Sequence, residues 1–153
     1  MLNSLRRRTS DEGGFTLIEL LVVVLIIGIL SAIAIPAFLS QTSKASDSAA
    51  KTQVGTLQTT METYASEHNG SYTGAEINEL KAIEPTLKDT STAKVGTITV
   101  EEGGQGFKVE SEAVGTKDKY TLTNEDGNIS RSCITGSTTT PANTGGGCKA
   151  GSW

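Results

Sequence analysis

Glu19 stands at the head of a stretch that carries no charged residue from Leu20 to Ser43. A carboxylate in such a place can accept hydrogen bonds or pair with a cation, in a medium where an unpaired ion costs at least several kcal/mol. It therefore needs a partner, and the partner decides its role. The second pair able to do chemistry is Cys133 and Cys148, the two cysteines of the chain, which allow a single pairing that is oxidised in an exported protein. They enclose the 14 residues ITGSTTTPANTGGG, and closing a loop of that length contributes about 3 kcal/mol in the chain-entropy model. Beyond these residues the chemistry is sparse. There is one histidine, His68, no Ser/His/Asp order with supporting context, no phosphate loop and no metal-ligand spacing. No catalytic residue, cofactor or metal is expected, and the chain does not read as an enzyme. The pairs Glu101-Glu102 and Glu125-Asp126 flank turns and read as solvated. A net charge of -4, a pI near 5.0 and no basic patch after Arg8 argue against nucleic acid as a partner.

The elements that must position these residues begin with Leu20 to Leu39, 20 apolar residues that as a helix extend roughly 30 Å, the thickness of a bilayer's hydrocarbon core. Arg6, Arg7 and Arg8 precede it and hold the first residues in the cytoplasm, which sends the C-terminal part outward. A secretory signal peptide cleaved near Ala32 to Ala37 is one alternative. Its apolar region spans only about 7 to 15 residues, however, and supplies no reason for Glu19. An uncleaved single-span anchor is another. Gly28 and Pro36 are the only helix breakers between Phe15 and Lys51. Pro36 removes the backbone bond to Ala32 and favours a kink, so local unwinding is one reading, while Gly28 and Ala32 as a small-residue face for close helix contact is the other.

Past Ser43, Ala50, Val54, Leu57, Met61 and Tyr64 recur at spacings of 4, 3, 4 and 3, one helical face. Asn69-Gly70 stops the helix, with His68 a structural residue near its end. One helix of about 50 residues, Phe15 to about His68, is expected. Gly96, Ile98 and Val100, then Phe107 and Val109, then Tyr120 and Leu122 alternate with polar residues, each strand offering one apolar face. Asp126-Gly127 is a turn leading into a fourth strand, Ile129 to Cys133. Tyr72 to Asp89 connects helix and sheet, with a short helical stretch from Ala75 to Ile83 ending at Pro85. Periodicity alone thus gives a small α+β domain. Asn128-Ile129-Ser130 matches a glycosylation sequon and Thr138, Thr139 and Thr140 beside Pro141 suit O-linked sugar. Both signals are weak, and both stretches read rather as plain polar surface.

The block Gly14-Phe15-Thr16-Leu17-Ile18-Glu19, after a short basic leader and before the apolar run, resembles the type III signal of type IV prepilins. The resemblance implies that residues 1–14 are a leader removed by a membrane-embedded prepilin peptidase cutting between Gly14 and Phe15, and that the new amine of Phe15 is methylated. It makes 15–43 a transmembrane helix that becomes filament core, and 44–153 a globular head: amphipathic helix 44–68, connecting region 69–93, antiparallel sheet 94–133 of three to four strands, and disulfide loop 133–148. The partner it implies for Glu19 is the Phe15 amine of a neighbouring subunit, a pair that would reward docking in register. Pairing with its own N-terminus is the intrachain alternative. In such proteins the helix between Gly28 and Pro36 can melt on assembly, and the C-terminal disulfide loop lies on the filament surface, a contact element or a plain staple. The implied function is a structural subunit of an extracellular filament serving adhesion, motility or uptake, a helical homo-oligomer. It would sit in the cytoplasmic membrane as a precursor, with prepilin peptidase and the pilus assembly machinery as partners. The alternative is a minor pilin, or a pseudopilin of type II secretion or competence. Leader removal takes away three arginines, Asp11 and Glu12, leaving 10 basic and 15 acidic residues and a net charge of -5, which speaks against general DNA binding.

Overall fold

The computed structural model describes residues 14–136, 147–148, 151 and 153. Arg6, Arg7 and Arg8, and Thr138, Thr139 and Thr140 beside Pro141, lie outside the described residues. The chain divides into two units, Met1–Ala37 and Phe38–Trp153. A single helix, α1 (Leu17–Glu67, 51 residues), contributes to both.

Within the first unit the helix runs unbroken past Gly28 and into Pro36 without a change in assignment. Its Ile and Val residues are only moderate helix formers in water, but in hydrocarbon every backbone polar group needs an internal partner, and a helix supplies one. Among the described residues nothing covers the apolar side chains here. Large residues such as Leu21, Ile26, Leu30 and Ile35 are exposed, and a Cβ built on Gly28 would meet nothing within 4 Å.

In the second unit α1 buries one stripe: Ala50, Val54, Leu57 and Met61 are fully covered and Tyr64 nearly so. The helix stops at Asn69 and Gly70, both with positive φ (56° and 82°), and the Gly70 N–H donates to the Ala65 carbonyl (2.8 Å). Ala75, expected to begin the next helix, instead closes a turn on the Tyr72 carbonyl (3.0 Å) after Gly74 at φ 86°. Helix α2 therefore starts later, spanning Ile77–Ile83, and Pro85 opens a 3-10 turn, Pro85–Lys88. Leu80 and Leu87 from these pieces enter the core.

The sheet is an antiparallel meander in the order β1-β2-β3-β4, comprising Ala93–Val100, Phe107–Ala113, Lys119–Glu125 and Asn128–Ile134. Phe107 and Val109 of β2 and Tyr120 and Leu122 of β3 are fully buried, as alternation predicts for a sheet with one face on a core. The register of β1 shifts between Val95 and Ile98. The last hairpin turns on two residues, since Glu125 pairs with Asn128, and Asp126 and Gly127 both adopt positive φ (50° and 86°), the tight form that matches strand twist. The fourth strand turns no apolar face to the core: Ile129 is 40% and Ile134 66% exposed, and Cys133 alone on β4 is buried. Directly paired residues share a face, and Arg131, opposite Leu122, is solvated. The core ends before this edge strand.

Candidate functional site

Gly14, Phe15 and Thr16 precede α1 without regular structure, and all three are exposed. The peptide bond joining Gly14 to Phe15 is thus held in no helix or strand. From Thr16 onward the geometry is specific. The Thr16 N–H and hydroxyl both donate to Glu19 Oε2 (2.8 and 2.7 Å), while the Glu19 N–H donates back to Thr16 Oγ1 (3.2 Å). The Leu20 N–H closes the first helical bond on the Thr16 carbonyl (3.2 Å). This is a capping box, in which side chains at the position before the helix and at its third residue satisfy each other's orphan amides.

The arrangement gives Glu19 a partner within its own chain, and the partner is Thr16. Sequence reasoning assigns Thr16 no role. The pattern Thr16-x-x-Glu19 ahead of an apolar run is nevertheless the signature of a capping box and was the signal available. A carboxylate at the N-terminal turn also faces the positive end of the helix dipole. Among the described residues no cation lies within ion-pair distance of Glu19. In this sequence the Phe15 nitrogen is a peptide nitrogen and carries no charge that could pair with Glu19.

Gly28 and Pro36 sit within the exposed apolar part of α1. α1 is long and apolar enough to cross a membrane, with mean hydropathy 3.0 over its best 18-residue window.

Cys133 and Cys148 form a disulfide, their Cα atoms 5.6 Å apart. Around it the C-terminal segment is tied to β4: the Cys133 N–H donates to the Gly151 carbonyl (2.9 Å) and the Trp153 indole N–H to the Ser132 carbonyl (2.9 Å). The Trp153 ring meets Tyr120 edge-on at 5.8 Å and lies near the Lys51 ammonium and Arg131 guanidinium. His68 stacks on Tyr64 (3.8 Å between centroids) and its Nδ1 contacts the Tyr64 carbonyl (2.8 Å), a structural role. No group of three or more His, Cys, Asp or Glu side chains suited to a metal occurs among the described residues.

The exposed apolar helix, the capped carboxylate at its head and the disulfide-closed sheet define a class: an N-terminal helix long and apolar enough to cross a membrane, continuing into a small α+β domain. Comparisons with known proteins add likenesses confined to part of the chain. A family model described as the prokaryotic N-terminal methylation motif matches residues 9–35. The chain is similar to the type IV major pilin protein PilA of Myxococcus xanthus, 52% identical over 54 residues, which is 35% of this chain and 24% of that protein. It is also similar to the type IV major fimbrial protein FimA of Dichelobacter nodosus, 48% identical over 54 residues (35% of each chain), and to a fimbrial protein of Pseudomonas aeruginosa, 49% identical over 51 residues (33% of each). The matched part thus spans about a quarter to a third of these relatives' length. No solved structure matches. The motif and the relatives together support a type IV pilin.

Proposed function

We propose that this chain is a structural subunit of an extracellular type IV pilus filament. Prepilin peptidase would cut it between Gly14 and Phe15, the amine of Phe15 would be methylated, and it would polymerise through its N-terminal helix with the help of the pilus assembly machinery. Adhesion, motility or uptake would be the service of the filament. The observation that carries this reading is the first part of α1, an apolar helical surface with no covering partner among the described residues and a carboxylate at its head. Before assembly the bilayer covers such a surface; in a filament the helices of other copies do so. The unstructured, exposed backbone around Gly14 and Phe15 suits a scissile bond. Two of the relatives described above carry the printed name of major pilin or major fimbrial protein, which favours a major over a minor subunit.

In this scheme the capping box holds Glu19 while the precursor waits in the membrane, because its two bonds to Thr16 lower the cost of keeping a carboxylate in hydrocarbon. Cleavage creates the Phe15 amine, and the amine of a neighbouring copy then draws Glu19 into an intersubunit pair that sets register. Gly28 and Pro36 mark the part of the helix that melts when copies pack. The test is the N-terminal mass of protein recovered from surface filaments. A chain beginning at Phe15 with one added methyl is expected; a start at Met1 or near Ile35 overturns the proposal.

A further inference from the structure

The sequon Asn128-Ile129-Ser130 is a weak signal as a motif, and its place in the fold decides what it is worth. Asn128 is the first residue of β4, just past the two-residue turn. Ile129, Arg131 and Cys133 lie opposite Asn124, Leu122 and Tyr120, all three buried, so they take the core side of the sheet. Asn128 and Ser130, opposite Glu125 and Thr123, take the other side, and both are exposed. The period of two in a strand thus sets amide and hydroxyl next to each other on the solvent face, with Ile129 between them turned away. Neither side chain has a hydrogen-bonding partner among the described residues.

The chain holds a second sequon, Asn69-Gly70-Ser71, and the fold treats it differently. Asn69 stands in the left-handed region at the helix stop (φ 56°). The Gly70 N–H donates to the Ala65 carbonyl (2.8 Å) and the Ser71 N–H to the His68 carbonyl (3.1 Å). The Ser71 hydroxyl is engaged twice, donating to Thr73 Oγ1 (3.0 Å) and accepting from the Thr73 N–H (3.2 Å). Next in the chain, Tyr72 is buried against Phe107. An enzyme that activates an amide must enclose the residues on both sides of it. Presenting Asn69 in that way unwinds the end of α1 and pulls on the core. β4 gives up far less, because it is the last strand of the sheet and Ile129 and Arg131 are solvated. Among the described residues its first three positions are held by the ladder to β3 alone, and segments of that kind open locally at low cost.

We propose that Asn128 is the acceptor of an N-linked glycan and that Asn69 is not. The donor is a sugar carried on a lipid diphosphate. The Asn128 amide nitrogen bonds to the anomeric carbon, and the bond from that carbon to the diphosphate oxygen breaks. The lipid diphosphate leaves with the electron pair, and one amide proton passes to a base of the transferase. Asn128 must lie outside the membrane for this, which rests on the filament reading above. A glycan here also has a physical use. Ile129 and Ile134 are exposed on β4 and Arg131 is its one charge, the kind of edge that pairs with other chains. A bulky polar group on its solvent face hinders such pairing.

The experiment takes the protein from the cells that make it and digests it with trypsin, which puts the two sequons in different peptides, 120–131 and 52–81. The 120–131 peptide is expected to be heavier than its sequence by whole sugar residues, with Asn69 in the other peptide bare. Asn128→Gln and Ser130→Ala should each lose the added mass completely, while Ser130→Thr, which keeps the hydroxyl, should retain it. A bare wild-type 120–131 peptide, or sugar that persists there in Asn128→Gln, overturns the assignment of Asn128. Sugar on Asn69 overturns the distinction between the two sequons. The N-terminal peptide of the same digest tests the filament reading separately. A start at Phe15 beside a bare 120–131 peptide removes the glycan alone, and leader residues still attached beside a glycosylated one remove the filament reading alone.

Discussion

The two parts of α1 are made by one continuous helix and solve opposite problems. From Leu17 to Ala37 its apolar side chains face outward all round, and the one polar interaction is local, the box between Thr16 and Glu19. From Ser46 to Ala65 one stripe is buried and the rest is solvated, and beside the local bonds of its threonines to the preceding turn the helix makes polar contacts with residues outside it. Ser46 holds Thr92 and Gly115, Gln53 holds Ser111, and Glu62 holds Tyr72 and Asn124. A helix that will change its surroundings can keep only contacts that travel with it. A helix that belongs to a fixed core can afford partners far away in sequence. Under the proposed function the difference separates what assembly would depend on from what folding depends on, and it can be broken experimentally one side at a time.

The largest effect is expected from Glu19→Val. It removes the carboxylate from the first part and touches nothing in the second, so filaments should disappear while membrane insertion and the thermal midpoint of the head stay at wild-type values. Normal filament yield would take the assembly role away from Glu19. The mirror experiment is Leu57→Ala in the second part. Leu57 is fully buried, and emptying such a site costs about 2–5 kcal/mol. Denaturant unfolding of the head should show that loss with insertion of the apolar segment intact. Next comes the paired change Cys133→Ser with Cys148→Ser, which reopens the loop and should destabilise the head by about 3 kcal/mol. A loss far smaller than this would mean that the contacts of Asp47 with Gly147, Asp118 with Gly136 and Trp153 with Ser132 hold the segment without the bridge.

Which features the sequence reveals follows the same division. The stripe Ala50, Val54, Leu57, Met61 and Tyr64 is legible because a 3.6-residue period is a local property, and every member is buried. The inward residues Phe107, Val109, Tyr120 and Leu122 are legible for the same reason at period two. Ser111 and Asn124 occupy inward positions as well, and composition alone would place them outside. Their partners, Gln53 and Glu62, lie 58 and 62 residues away, a distance over which no pattern can be read. Asp47 is hidden more deeply, with its amide partner Gly147 exactly as remote as 100 residues allows local patterns to ignore. Ile129 misleads in the other direction, since alternation cannot tell an edge strand that overhangs the core from one that covers it. At the candidate site the carboxylate is legible from its setting and the capping threonine from its spacing. The identity of an intersubunit partner is not a property of one chain at all.

The smallest expected effect sharpens the long-range side of the comparison. Tyr72 packs edge-on against Phe107 (4.7 Å between centroids) and its hydroxyl donates to Glu62 Oε2 (2.8 Å). Burial, and then the bond and charge of Glu62, push the phenol up to about 12. The unfolded chain titrates near the ordinary value of about 10, so the folded head holds this proton more tightly. The stabilisation is complete below about pH 10 and disappears as pH climbs through the folded value. Tyr72→Phe keeps the ring contact and deletes the bond, so it should cost about 0.5–1.5 kcal/mol near neutral pH. The difference between wild type and variant should then shrink across the alkaline range, because ionised Tyr72 cannot donate to Glu62 and repels it. Urea unfolding of both proteins at a series of pH values reads that difference directly, free of the lysines that titrate equally in each. A gap that stays constant through about pH 12 would show that Glu62 and Tyr72 do not share the proton-dependent bond.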